Sequence, residues 1–163
     1  MNKFKILKLK EISTIYNGKT PSTENEENFG GDIPWITPKD LSNSKTQYID
    51  KGERNISMQG FKSIGGKYLP KGTILLSSRA PIGLLSIANK PLTTNQGFKN
   101  IVCDSEKIDY LYLYYLLKTK ILDIENLGSG TTFKEVSKSV LEEFFIKIHE
   151  NIPTQQAIAS VLS

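Results

Sequence analysis

Few residues of this chain could form or break a covalent bond. It holds one cysteine, Cys103, and one histidine, His149. Two such side chains supply neither a disulfide framework nor a Cys/His zinc site. A Ser-His-Asp or Cys-His relay would have to be built around His149 alone. That histidine stands beside Glu150 and Asn151, at the end of a strand-like run, and reads as a surface-loop residue. Nuclease sites of the common restriction type need a carboxylate two residues before a lysine, and no lysine here has Asp or Glu at that position. No Asn/Asp-Pro-Pro-aromatic tetrapeptide is present to hold a flipped base for amino methylation. No glycine-rich turn has the spacing that cradles a dinucleotide, an adenosine cofactor or a triphosphate. The cluster Glu24, Glu26 and Glu27 lies in an asparagine-rich loop and reads as solvated rather than metal-binding. The pattern predicts a protein without catalysis, metal or cofactor.

What remains is hydrogen-bonding chemistry, in loops rich in Ser, Thr, Asn, Gln and Lys. Only Arg54 and Arg79 occur among 21 basic residues. Arg79 stands in Ser77-Ser78-Arg79-Ala80-Pro81, directly after a strand-like run. A rigid Ala-Pro turn there would present the planar guanidinium to guanine O6/N7 or to a phosphate. The alternative is a buried arginine that ties its loop to backbone carbonyls.

The elements that must carry these loops follow from length and pattern. A chain of 163 residues, 38% hydrophobic and 23% charged, fits one domain that buries roughly 70% of its extended surface. Its net charge of +4 is unevenly spread: residues 1–20 carry +4, 21–33 carry −4, 34–103 carry +7 and 104–163 carry −3. A basic middle beside an acidic end predicts one surface for a polyanion and another for something else; a solvated lysine-rich exterior is the alternative. The first twenty residues lack the apolar block of a signal peptide, and the longest uncharged stretch, Asn151 to Ser163, is too short to cross a bilayer. A soluble cytoplasmic domain with no membrane partner is expected.

Glycine and proline punctuate the first hundred residues, with short strand-type runs between them. The clearest are 73–77, 83–88 and 97–102, with a weaker one at 33–36, and short helices are expected at 38–41 and 57–61. The second half changes period. Asp109 is a good N-cap, and Tyr110, Leu113, Tyr114, Leu117, Ile121 and Ile124 recur at helical spacing, predicting one helix of four to five turns that stops before Gly128. Thr132 followed by Glu135 reads as a capping box opening a short helix through Val140. Residues 144–148 read as a strand, and Pro153 opens a final helix with Ala157, Ile158, Val161 and Leu162 on one side. The expected fold class is α+β: an irregular, mostly antiparallel sheet with short helices, a longer helix near 109–126 and the start of a C-terminal helix.

Seven motifs occur in order: Gly18-Lys-Thr-Pro-Ser22, the 31–41 run GDIPWITPKDL, the 72–83 run GTILLSSRAPIG, the 91–99 run PLTTNQGFK, Tyr114-Tyr-Leu-Leu-Lys118, the 130–141 run GTTFKEVSKSVL and the 152–160 run IPTQQAIAS. The series closely resembles the target recognition domain of the specificity (S) subunit of type I restriction-modification systems, from about Leu7 to Ser163. The resemblance implies a recognition domain at 1–150 and the start of a spacer helix at 151–163. It implies reading of one half of a bipartite double-stranded DNA target. Its implied partners are methyltransferase (M) subunits, restriction/translocase (R) subunits and, for a half-subunit, a second copy. S subunits of this family usually hold two such domains, and one is present here. The family also commonly has a glutamate before the glutamine that opens this helix, where this chain has Thr154. The other functions weighed are a scaffold that tethers M subunits without reading DNA, and the recognition domain of a self-contained methyltransferase or restriction enzyme.

Under this reading, phosphate contacts are expected from Lys19, Lys39, Lys99, Lys134 and Lys138. Base-edge candidates are Thr20, Ser22, Thr37, Ser78, Arg79, Asn95, Gln96 and Thr131. Motifs shared by subunits with different targets suit the scaffold, which leaves sequence choice to the idiosyncratic stretches 21–28 and 45–67. Asn95 and Gln96 have an alternative reading as groups that satisfy loop backbone.

Overall fold

The computed structural model describes residues 3–163. Its strands in chain order are β1 (Phe4–Lys8), β2 (Ser13–Asn17), β3 (Phe29–Ile33), β4 (Trp35–Ile36), β5 (Tyr48–Ile49), β6 (Ile74–Ser77), β7 (Leu85–Ala88), β8 (Thr93–Thr94), β9 (Phe98–Cys103) and β10 (Phe145–His149). Its helices are α1 (Leu9–Ile12), α2 (Pro38–Asn43), α3 (Met58–Ser63), α4 (Tyr110–Lys118), α5 (Ile121–Asn126), α6 (Lys138–Glu142) and α7 (Ile152–Leu162). A central sheet runs in the order β2-β9-β6-β7-β5, antiparallel except for the parallel β5–β7 pair.

Strand alternation gives this sheet two buried faces. On one face Ile15, Ile74, Leu76, Ile87 and Ile101 pack against Leu113, Leu117 and Ile124 of α4 and α5. On the other, Leu75, Ala88 and Phe98 pack with Ile36, Leu41 and Leu92. A third, smaller cluster of Phe29, Ile33, Trp35, Ile56 and Phe61 stands apart. It joins the two idiosyncratic stretches into one lobe: Ser57 donates its N–H to the Asn28 carbonyl at 2.9 Å and its hydroxyl to the Glu27 carbonyl at 2.5 Å. Gly60 permits this approach, since a Cβ would lie 2.2 Å from the Asn28 carbonyl oxygen.

β1 and β10 form a separate antiparallel ribbon, against which α7 returns to lie beside α4. Gln155 locks that corner from a fully buried position. Its Nε2 donates to the His149 carbonyl at 2.7 Å and its Oε1 accepts from the Asp109 N–H at 2.8 Å.

The α+β class and the mostly antiparallel sheet agree with the sequence, as does the Asp109 cap, whose carboxylate accepts from the Tyr112 N–H at 2.8 Å. Three local expectations do not hold. The single helix over 109–126 is broken at Thr119 and Lys120 into α4 and α5, which lets Ile121 seat where a Cβ on Gly83 would come within 2.6 Å of it. The Thr132–Glu135 capping box does not form; Glu135 is drawn into backbone bonds with Ser129, and the helix instead starts after Ser137, whose Oγ accepts from the Val140 N–H at 3.3 Å. His149 is no loop residue but the buried end of β10, its N–H donating to the Tyr112 hydroxyl at 3.1 Å and its Nδ1 accepting from the Asn151 N–H at 3.1 Å. Burial, with Asp109 nearby, pushes the Cys103 thiol up to about 12, so it stays protonated and unreactive near neutral pH.

Candidate nucleic-acid interface

The end of β2 is where the polar loops converge. After Asn17 the chain crosses the 93–97 segment, with the Lys19 N–H donating to the Thr94 carbonyl at 2.9 Å. Gly18 makes the crossing possible, because a Cβ there would lie 1.7 Å from the Asn95 carbonyl oxygen. Trp35 of the small lobe donates its Nε1 to the Lys19 carbonyl at 3.0 Å, so lobe and sheet hold the same turn. The Thr20 hydroxyl donates to Gln96 Oε1. Both then face a shallow hollow shared with Lys19 and with Lys62, Ser63 and Gly65 at the end of α3. Lys19 Nζ lies 3.7 Å from the position a Gly65 Cβ would take. Lys19, Lys62 and Lys67 have no ion-pair partner among the described residues.

A second rim is built from the 129–138 loop. Ser129 and Glu135 exchange backbone hydrogen bonds at 3.0 Å each, and Val136 donates its N–H to the Ser78 carbonyl at 2.9 Å. This docking sets the Glu135 carboxylate 3.3 Å from Lys99 Nζ and 3.4 Å from Arg79 Nε. Thr131 and Lys134 are exposed on the same loop, and Phe133 at its tip is 87% exposed. Asn17 lines the hollow on this side, together with Lys99 and Lys138, and also the hollow beside Lys19. The two rims are therefore one continuous polar strip.

Several of the residues expected to contact DNA are occupied inside the protein. Ser78 is fully buried, and the Lys99 side chain, only 6% exposed, donates to its hydroxyl at 3.4 Å and to Glu135. Asn95 Oδ1 accepts from the Gly97 N–H at 2.9 Å and shapes its own turn. Thr37 sits at the N-cap of α2, with its N–H and hydroxyl donating to Asp40 Oδ2 at 2.7 and 2.9 Å. Lys39 pairs with Glu53 at 3.2 Å in solvent, and Lys138 with Glu142 at 3.7 Å. Ser22 is exposed at the edge of the lobe, its carbonyl accepting from Asn28 Nδ2 at 2.9 Å. Arg79 is half exposed, so it is no buried tie, and its Nε lies 3.4 Å from the Glu135 carboxylate, an ion pair that partly occupies its guanidinium. Lys62, Lys67, Tyr16 and Tyr68 are additions that the motifs do not single out. Tyr16 belongs to β2, and the other three join it only because α3 and the 64–70 segment fold back over β2, more than forty residues away in sequence.

The pattern that defines type I restriction modification DNA specificity domains matches residues 1–163. The chain belongs to that family. A specificity subunit of the type I restriction enzyme MjaIX from Methanocaldococcus jannaschii is 49% identical over 160 residues, 97% of this chain and 37% of that protein. The HindI specificity subunit from Haemophilus influenzae is 32% identical over 92% of this chain and 32% of its own length. This specificity domain thus spans about a third of the curated relatives it matches. Its fold is shared by the type I S subunit from M. genitalium, at a TM-score of 0.71 and 21% identity over 99% of this chain and 38% of that one. The HsdS subunit from Thermoanaerobacter tengcongensis gives a TM-score of 0.74 at 18% identity, over 98% of this chain and 36% of that one. The resemblance drawn from the seven motifs holds along the whole domain.

Proposed function

We propose that this domain reads one part of a double-stranded DNA target for a type I restriction-modification complex and leaves catalysis to partner subunits. The observation that carries the reading is the strip at the end of β2. There three lysines without carboxylate partners among the described residues flank hydrogen-bonding groups on exposed loops, at the edge of the central sheet. Lysines of this kind hold phosphates and set register, while side chains such as Thr20, Gln96 and Thr131 meet base edges. The lobe built from the 21–28 and 45–67 stretches borders the strip through Trp35 and α3, which supports a role for it in choosing the sequence. Membership of the specificity family and the relatives' names support the assignment to a restriction-modification complex.

The acidic, helical part is the side for protein partners. On α7, Ile158, Val161 and Leu162 share one flank and are 38%, 85% and 56% exposed, which supports α7 as the opening of a spacer helix that packs on another element. Methyltransferase and restriction subunits are the partners this reading names. Selection from a randomised duplex library, with the domain alone and with a methyltransferase subunit, tests it. A short enriched motif is the expected result. No enrichment with subunit binding intact would replace the reader by a scaffold.

A further inference from the structure

Beside the strip, the same sheet carries a hollow of about 550 Å³ between the β2–β9 edge and the 64–70 segment. That volume lies in the roughly 300–1,000 Å³ range of sites for small organic ligands. Tyr16 and Tyr68 line it, 49% and 46% exposed, and Tyr68 is braced by Phe61 with ring centroids 4.5 Å apart. Directly across the strand pair from Tyr16 is Asn100, fully buried, whose Nδ2 donates to Thr94 Oγ1 at 2.8 Å. Its Oδ1 has no hydrogen-bond partner among the described residues. A buried amide oxygen without a donor is costly, and a leucine would fill the same space on this strand without that cost. Lys19 and Lys67 complete the wall. Two aromatic faces, one orphan acceptor and two free ammonium groups match the parts of a nucleotide.

We propose that this hollow binds a single nucleotide, with the base between Tyr16 and Tyr68, a base N–H on Asn100 Oδ1 and the phosphate at Lys19 and Lys67. The ligand has two possible sources: a nucleotide swung out of a duplex lying on the strip, or a free mononucleotide. The first source rests on the DNA-reading proposal above. Extruded bases are held in this manner, by stacking and by hydrogen bonds to their edges.

The test uses the intact domain in two arms. In one, dAMP, dGMP, dCMP and dTMP are titrated while the Asn100 side-chain amide and the Tyr16 and Tyr68 rings are followed by NMR. In the other, each base pair of a selected duplex is replaced in turn by a mismatch and affinity is measured. The expected result is that a mononucleotide shifts those resonances, or that a mismatch at one position tightens binding roughly tenfold because its unpairing cost is already met. Tyr68→Ala should weaken whichever response appears about fivefold or more. Asn100→Leu should abolish it while lowering the melting temperature only by what Thr94 Oγ1 loses with its donor, and circular dichroism checks that the variant is folded. If no nucleotide moves these resonances and no mismatch tightens binding, the pocket proposal is wrong, and a domain that still holds its duplex keeps its reading role. A domain that selects no duplex loses the reading role, and the mononucleotide arm alone then decides the pocket.

Discussion

Among the described residues, Lys99 and Arg79 at the 129–138 rim sit against Glu135 and Lys138 against Glu142, leaving Lys134 unpaired, whereas at the 17–20 and 62–67 rim none of Lys19, Lys62 and Lys67 has a carboxylate partner. The residue types are nearly the same and their positions on the strip are adjacent. What differs for Lys99 and Arg79 is Glu135, which the loop docks against the sheet by paired backbone bonds. A cation held by a carboxylate can offer a phosphate only what remains after that pair is broken. The basic charge counted along the chain therefore overstates what a polyanion would meet at the 129–138 rim.

The largest expected effect is at the free rim. Replacing Lys19, Lys62 and Lys67 together by Ala should lower duplex affinity roughly a hundredfold and flatten the slope of log affinity against log salt by about 3. Equal losses from Arg79 and Lys138 variants would erase the contrast between the rims. Next is Glu135→Ala, which strands the buried Lys99. Because the carboxylate is 38% exposed, the expected cost is ~2 kcal/mol, below that of a fully buried pair, and urea unfolding at pH 7 measures it. A variant as stable as the parent would mean that the pair holds nothing.

Arg79→Ala should weaken duplex binding by less than ~1 kcal/mol, since its guanidinium is already engaged. A loss of ~1–3 kcal/mol would instead mark a base contact made by releasing Glu135. The smallest effect is expected away from the strip, at Glu143. The ammonium of Lys10, with Lys8 behind it, holds this exposed carboxylate below its ordinary value of 4.5. Its contribution is present above that value and fades as the pH falls through the lowered one. Glu143→Gln should match the parent in urea at pH 7 to within error, and any small difference should fade as the pH falls below the ordinary carboxylate value of 4.5 and through the lowered one.

Much of the fold was legible because its signals are local. Asp109 caps its helix through a bond to the residue three positions on, and the strand-type runs at 73–77, 83–88 and 97–102 and the short helix at 57–61 follow from residue type between glycine and proline. The seven motifs sufficed to place the chain in its family. The break between α4 and α5 was not legible, since Thr119 and Lys120 carry no stop signal and the seat for Ile121 is made by a distant glycine. Nor was the capping box refuted by anything nearby; Glu135 is claimed by Ser129 and Lys99 across space.

The sequence by itself determined the central strands β6, β7 and β9, the starts of α2, α3, α4 and α7, the scarcity of nucleophiles and the family, because each depends on residue type and short spacing. Only the tertiary structure decided which polar groups are free. Ser78 and Lys99 were drawn inward, Thr37 and Asn95 were spent on their own turns, and Lys62, Lys67 and Tyr68 were brought to β2 from across the chain. The physical reason is that a hydrogen-bonding group serves a ligand only with the capacity its internal partners leave over, and those partners come from segments far apart in sequence.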